Sequence, residues 1–290
     1  VLFVQKAYGG AARLLEELLA VDDDHIRASG LLGVIYLRGE GVRQDPVRAC
    51  ALLRRAEQGG CAEAACNLGA MYRDGLGVPQ DDAAALALFT KAHEAGHAYG
   101  TYQLGFMHRD GRGVPRDVAT MHRLYELAHA RGVAGASFNL GVMHRDGDGV
   151  RQNTTKALEL FWRACDAGHA GAAHNLGCMY RDGIGVQQDK AKVVALFQWA
   201  SMLGAADATF NLGVMHRDGD GVPQDKSKAL ELFARAGKAG FAEAIFSLGA
   251  MYFAGDGVAL DKRKGVALFE QAHAAGCAGA TFALAGRYYC

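Results

Sequence analysis

Carboxylates, imidazoles, thiols and glycine-rich turns all recur in this sequence, and each invites a chemical reading. Asp146-Gly-Asp-Gly149 and Asp218-Gly-Asp-Gly221 set two carboxylates beside glycines, as calcium loops do. They lack the further Asp or Asn ligand, the spacing to the turn glycine and the closing Glu of such a loop. Gly-x-Gly-Val occurs seven times, beginning at Gly39, Gly75, Gly111, Gly147, Gly183, Gly219 and Gly255. A phosphate loop follows a strand and ends in Gly-Lys-Ser/Thr; none of these does, so they read as turns. His108, His144 and His216 share one register. Neighbouring copies would stand ~10 Å apart by helix-packing distances, and no Cys or carboxylate at helical spacing completes a four-ligand zinc set. They read as half-buried structural rings. His93, His129 and His273 fall near helix ends, where a solvent-facing imidazole suits the helix dipole. No Ser-His-Asp set can be assembled from spacing. The sequence thus predicts no catalytic residue, no cofactor and no metal.

The seven cysteines, Cys50, Cys61, Cys66, Cys165, Cys178, Cys277 and Cys290, are odd in number and irregular in spacing. Cys61 and Cys66 do not make a Cys-x-x-Cys pair, and no second pair exists. Free thiols in a reducing intracellular compartment are the expectation. Lys plus Arg and Asp plus Glu are both 31, for zero net charge. Nucleic-acid binders carry a basic excess, so that class is not expected. No apolar run approaches the ~18 residues that a membrane span needs. The chain starts at Val1 and no targeting signal is visible, so it reads as a fragment or processed product.

The elements that must position these residues follow from an internal period. Asn-Leu-Gly-x-Met recurs from Asn67, Asn139, Asn175 and Asn211, with degenerate copies opening at Gln103 and Ser247. Its glycine falls at 33, 69, 105, 141, 177, 213 and 249, every step 36 residues. Four glycine positions in each of seven copies account for 28 of the 39 glycines. Each unit predicts two helices. In the second copy helix A runs Ala62 to Asp74, a tight loop follows from Gly75, and helix B runs Asp81 to Ala95. Asp45, Asp81, Asp117, Asn153, Asp189, Asp225 and Asp261 stand where an N-cap side chain satisfies an orphan N–H. Gly75 and Gly96 stand where a helix end wants a left-handed residue. The glycine inside helix A predicts close approach of a partner helix. A single pair cannot bury its apolar faces alone, so neighbours stack. Residues 1–24 read as a capping helix or partial repeat, 25–282 as seven repeats, and 283–290 as the start of a truncated further one. Trp162 and Trp199, on consecutive B helices, read as packing or an outer patch.

On this pattern, which Asn175 to Gly204 follows closely, the sequence resembles the Sel1-like repeat family, a relative of tetratricopeptide repeats. The resemblance covers roughly residues 25–290. It implies an all-α, right-handed superhelix (solenoid) of antiparallel helix pairs, with scaffold or adaptor roles and no catalytic residues. A similar subfamily, the Helicobacter cysteine-rich proteins, has a disulfide within each repeat, and some members bind β-lactams. Here Cys165 has only Ala173 at the matching position, so that reading is not carried over.

In related solenoids helix A lines the concave surface. Stacking would project three ladders there: Asn67, Gln103, Asn139, Asn175 and Asn211; Phe106, Val142, Cys178 and Val214; and Arg73, Arg109, Arg145, Arg181 and Arg217. Amides carry donor and acceptor and suit a peptide backbone; guanidinium forks suit the carboxylates of an acidic segment. The alternative is that each Asn bonds a neighbouring repeat and each Arg a nearby Asp, with Asp74 and its equivalents capping turns. Function is expected to be a non-catalytic interaction scaffold. The alternatives are a permanent subunit of a larger assembly and, further off, a β-lactam-binding or hydrolysing enzyme.

Overall fold

The computed structural model describes residues 2–22 and 25–288. Cys290, and with it the end of the segment expected at 283–290, lies outside them. Among the described residues there are sixteen helices and no strand. α1 (Leu2–Val21) precedes seven A/B pairs. These are α2 (Ile26–Arg38) with α3 (Pro46–Gln58), α4 (Ala62–Asp74) with α5 (Asp82–Glu94), α6 (Ala98–Asp110) with α7 (Val118–Ala130), and α8 (Ala134–Asp146) with α9 (Thr154–Asp166). Then come α10 (Ala170–Asp182) with α11 (Lys190–Met202), α12 (Ala206–Asp218) with α13 (Lys226–Lys238), and α14 (Ala242–Ala254) with α15 (Lys262–Ala274). α16 (Ala278–Tyr288) follows. The chain divides into two compact units between Leu140 and Gly141. Among the described residues no helix is long and apolar enough to cross a membrane.

Each hairpin is closed by the same two contacts. The N-cap side chain accepts from the backbone N–H three residues on, as Asp81 does from Ala84 at 2.9 Å, and all seven expected caps make this bond. The N–H of the same residue donates back to helix A, Asp81 to the Tyr72 carbonyl at 2.9 Å and Asp225 to that of His216 at 2.8 Å. One residue therefore starts helix B and ties it to the end of helix A. Gly75 makes the turn between them in the left-handed region, φ 68°. Helix B ends one residue sooner than expected, at Glu94 with Ala95 as cap, and Gly96 takes the left-handed step after it.

The helix A glycine has a sharper role than a general close approach. Twenty residues downstream, a helix B ring lies directly on it. A Cβ on Gly69 would stand 2.9 Å from the Phe89 ring, on Gly105 2.6 Å from Tyr125, and on Gly177 2.5 Å from Phe197. Leu53 fills this place opposite Gly33. Phe89, Phe161 and Phe233 are fully buried, so each ring contributes the ~1.5–3 kcal/mol of a buried large side chain. Leu68 and Met71 are buried in the stack.

Successive hairpins are joined at their loops. A Cβ on Gly113 would meet the Asp82 carbonyl oxygen at 2.5 Å, so this loop lies against the start of the preceding helix B. Beside it Arg112 forks onto the Asp82 carboxylate at 2.6 and 3.2 Å. Lys190–Asp220 repeats the ion pair, with the signs exchanged, at 2.6 Å. α1 packs on α2, burying Ala12, and its Glu16 pairs with Arg48 at 2.8 Å.

Gly177→Ala should cost about 1–3 kcal/mol by overpacking against Phe197. In a Phe197→Ala background the same change should cost nothing, because the cavity takes the methyl and Ala is the better helix former. Urea unfolding followed by the fluorescence of Trp162 on α9 and Trp199 on α11 measures both.

Candidate functional site

Because the helix B ring occupies one side of each A helix, the opposite side is left to face its neighbours and solvent. A helices touch the next A helix in both units, α2 on α4, α4 on α6 and α14 on α16. The residues on this face form the candidate site.

The five arginines are already occupied. Arg73 donates through Nε and Nη2 to both oxygens of Asp74, at 2.7 and 2.7 Å. Arg109, Arg145, Arg181 and Arg217 do the same to Asp110, Asp146, Asp182 and Asp218. The guanidinium beside each of these carboxyls holds it below the ordinary carboxylate range. Asp74 and its equivalents were expected to cap the turn; their oxygens instead meet these forks. Arg109 also stacks over Phe106, 4.1 Å from the ring centre, and Phe106 stands edge-on to Tyr102 at 4.8 Å.

The amides bond in three ways. Asn67 and Asn175 donate to carbonyls of their own helix, Glu63 at 3.0 Å and Gly171 at 2.9 Å. Asn139 donates to the Tyr102 hydroxyl of the preceding hairpin at 3.3 Å, and Asn211 Nδ2 lies 2.9 Å from His174 Nε2. Gln103 is buried. Asn175 also accepts from Arg145 across hairpins. Val142, Cys178 and Val214 are half-buried.

The histidines at the helix B ends are not simply solvent-facing. His93 and His129 reach the next A helix, Nδ1 to Thr101 Oγ1 at 3.0 Å and to Ser137 Oγ at 2.7 Å. Ser201 and Thr209 occupy the same two positions at 2.6 Å, and so do Cys165 and Ala173, both buried. This is a complementary joint between hairpins, where bonding partners change together.

A further row on the A face escaped the sequence reading: Tyr102, Phe138, His174, Phe210, Phe246 and Phe282, directly before the amide position. Its 36-residue period was legible, but it hid beside the stronger Asn-Leu-Gly string. Tyr102 leans over Gly135, where a Cβ would meet its hydroxyl at 2.5 Å, and Tyr99 beside it is half exposed. His174 is the one imidazole of the row. Its Nδ1 is 3.0 Å from Asp207 Oδ2 on α12, its Nε2 is 3.6 Å from Cys178 Sγ, and its face lies 5.6 Å from Phe197. Burial disfavours the charged ring, but the bonds to Asp207 and Cys178 outweigh it and push His174 up to about 9. The same contact lowers Asp207. No periodic signal marks Asp207, because the other copies place Arg, Glu, Tyr or Gly there. Among the described residues no three His, Cys, Asp or Glu converge on a possible metal position.

These shifts make stability depend on pH. Unfolded, the ring loses its proton near 6.5; folded, near 9. Between these the folded chain binds more protons, so the contribution is full below 6.5 and lost as pH rises through about 9. Asp207 contributes above its unfolded value, near 3.8, and less as pH falls below it. The thermal midpoint should therefore fall between about pH 6.5 and 9.5 in the native chain and much less in His174→Gln; an NMR titration of His174 should give a midpoint near 9.

The Sel1 repeat pattern matches residues 27–61, 62–97, 98–132, 134–169, 170–204, 206–241 and 242–277. A Sel1 repeat protein from Oxalobacter formigenes is 32% identical, with 95% of this chain and 79% of that one covered and a TM-score of 0.72. The protective antigen c5321 of uropathogenic Escherichia coli, which displays an SLR fold, is 30% identical with a TM-score of 0.71. That alignment takes in 93% of this chain but 58% of the antigen. Yeast Tom70, 15% identical with a TM-score of 0.57 over 98% of this chain and 60% of its own, shares the fold alone. No curated protein matches the sequence. The paired helices are thus the SLR solenoid fold, and with seven successive copies matched, the chain belongs to the Sel1 repeat family.

Proposed function

We propose that this chain is a protein-interaction scaffold whose A-helix face receives a polypeptide partner. Sel1 repeat proteins mediate protein–protein interaction. The observation that carries the reading to this face is the half-exposed row of rings and amides that the repeated core contact on the helix A glycine leaves outward. Tyr99, Tyr102, Phe106 and Asn67 present it in the first unit. Aromatic side chains of this kind anchor interfaces, and amides meet peptide groups. The guanidiniums serve less well, since each is engaged by its own Asp. The partner is accordingly read through rings and amides, and an acidic segment is bound only where it displaces those aspartates.

A second reading, a permanent subunit of a larger assembly, is favoured by a different surface. Trp162 and Trp199 flank an apolar hollow of 490 Å³ on α9 and α11, with Met202 80% exposed nearby. Photo-crosslinkers at three positions separate the readings. A label at Tyr99 should trap the partner, and one at the exposed Val47 of α3 should not; trapping from Trp199 alone would favour the assembly. Tyr99→Ala with Phe106→Ala should weaken capture tenfold or more with helicity unchanged. Arg145→Glu with Arg181→Glu should weaken it only for an acidic partner.

A further inference from the structure

In α10, Cys178 and His174 are four residues apart and share one face. Asp207 comes from the first turn of α12 in the next hairpin, where it also accepts from the Ala208 N–H at 2.7 Å. One imidazole is thereby offered a thiol on one nitrogen, at 3.6 Å, and a carboxylate on the other, at 3.0 Å. This order of nucleophile, base and orienting group is the general layout of an activated nucleophile, with the looser thiol contact usual before substrate binds. Phe197 bounds the ring's face and Asn211 its Nε2 edge. Arg145 of α8 and Arg181 of α10 lie near enough to Cys178 to interact with it electrostatically.

Packing does not account for the set. In the other copies the two α10 positions hold Gly30 and Val34, Cys66 and Ala70, Tyr102 and Phe106, Phe138 and Val142, Phe210 and Val214, and Phe246 and Ala250. The repeat folds without an imidazole at the first position or a thiol at the second. Among the described thiols Cys50, Cys66, Cys165 and Cys277 are buried, burial pushing Cys66 up to about 12; Cys61 shares the half-exposed state of Cys178.

We propose that Cys178 and His174, positioned by Asp207, form a nucleophilic site that takes an acyl group from a thioester or activated ester. In the neutral ring, which forms as pH rises through about 9, the thiol proton passes to His174 Nε2 as Sγ bonds the carbonyl carbon. The bond from that carbon to the leaving atom breaks, the electron pair departs with the leaving group, and His174 returns the proton to it. A thiol and an acyl donor thus become a thioester on Cys178 and a protonated leaving group, with no change of oxidation state. Asp207 is the positioning residue; it takes the Nδ1 proton, so that in the neutral ring the Nε2 lone pair faces the Asn211 amide and the thiol. Cys178 and His174 are half-buried, so the acyl group arrives on a slender side chain or flexible carrier.

The probe is p-nitrophenyl acetate, read by p-nitrophenolate release and by peptide mass mapping of acetylated cysteines. Cys178 should acetylate at least tenfold faster than Cys61, the other half-exposed thiol. Cys178→Ser should lose the fast phase, and His174→Gln should slow it at least tenfold. Asp207→Asn should lower the limiting rate at high pH and move the pH midpoint downward, because the ring loses the carboxylate that orients it and holds its proton. A purely structural carboxylate would leave that midpoint in place. Acetylation of Cys178 no faster than Cys61 in the native chain would overturn the proposal, a comparison that requires no variant to fold. Undiminished labelling in a folded His174→Gln would overturn it equally.

Discussion

The structure depends on a missing atom. In each copy the absence of a Cβ in the middle of helix A lets a helix B side chain settle onto bare backbone. A methyl there would stand 2.5–2.9 Å from the ring or leucine that occupies the space. A glycine inside a helix costs about 1 kcal/mol relative to Ala, and burial of a whole aromatic ring more than offsets it. Everything else in the hairpin serves this contact. The N-cap residue fixes where helix B begins, and the left-handed loop glycine turns the chain so that the ring arrives opposite its glycine.

The division of labour between the two sides of helix A follows. One side is held nearly invariant by the ring contact. The other is free to differ from copy to copy, and it does: tyrosine and phenylalanine rings in the first unit, a histidine with a thiol and a carboxylate in the second. The joint between hairpins obeys a looser rule, in which two positions change together. His with Thr, His with Ser, Ser with Thr and Cys with Ala all satisfy it, because the joint needs complementary size and bonding rather than one chemistry.

Most of the fold was legible because it is written seven times. Spacing placed the helices, the caps and the loop turns to within a residue. What spacing could not convey was pairing. Arg73 and Asp74 are adjacent in sequence, yet only the rotamer shows that they face each other as a fork. His93 and Thr101 are eight apart across a turn, and His174 and Asp207 are thirty-three apart across two hairpins. The partner of His174 occurs in one copy alone, so no period announced it. The mid-helix glycine was read as an approach of backbones because the ring that fills the space lies twenty residues away.

The two-way closure at each helix B start has a consequence for how such a chain can change. The cap residue reaches forward with its side chain and backward with its N–H, and the next loop rests on the same spot. A residue added to or removed from the loop would misplace the forward bond, the backward bond and the adjoining loop at once. Lengths inside the unit are therefore frozen, and growth or shrinkage can proceed only in whole thirty-six-residue steps, by duplication or loss of a complete hairpin.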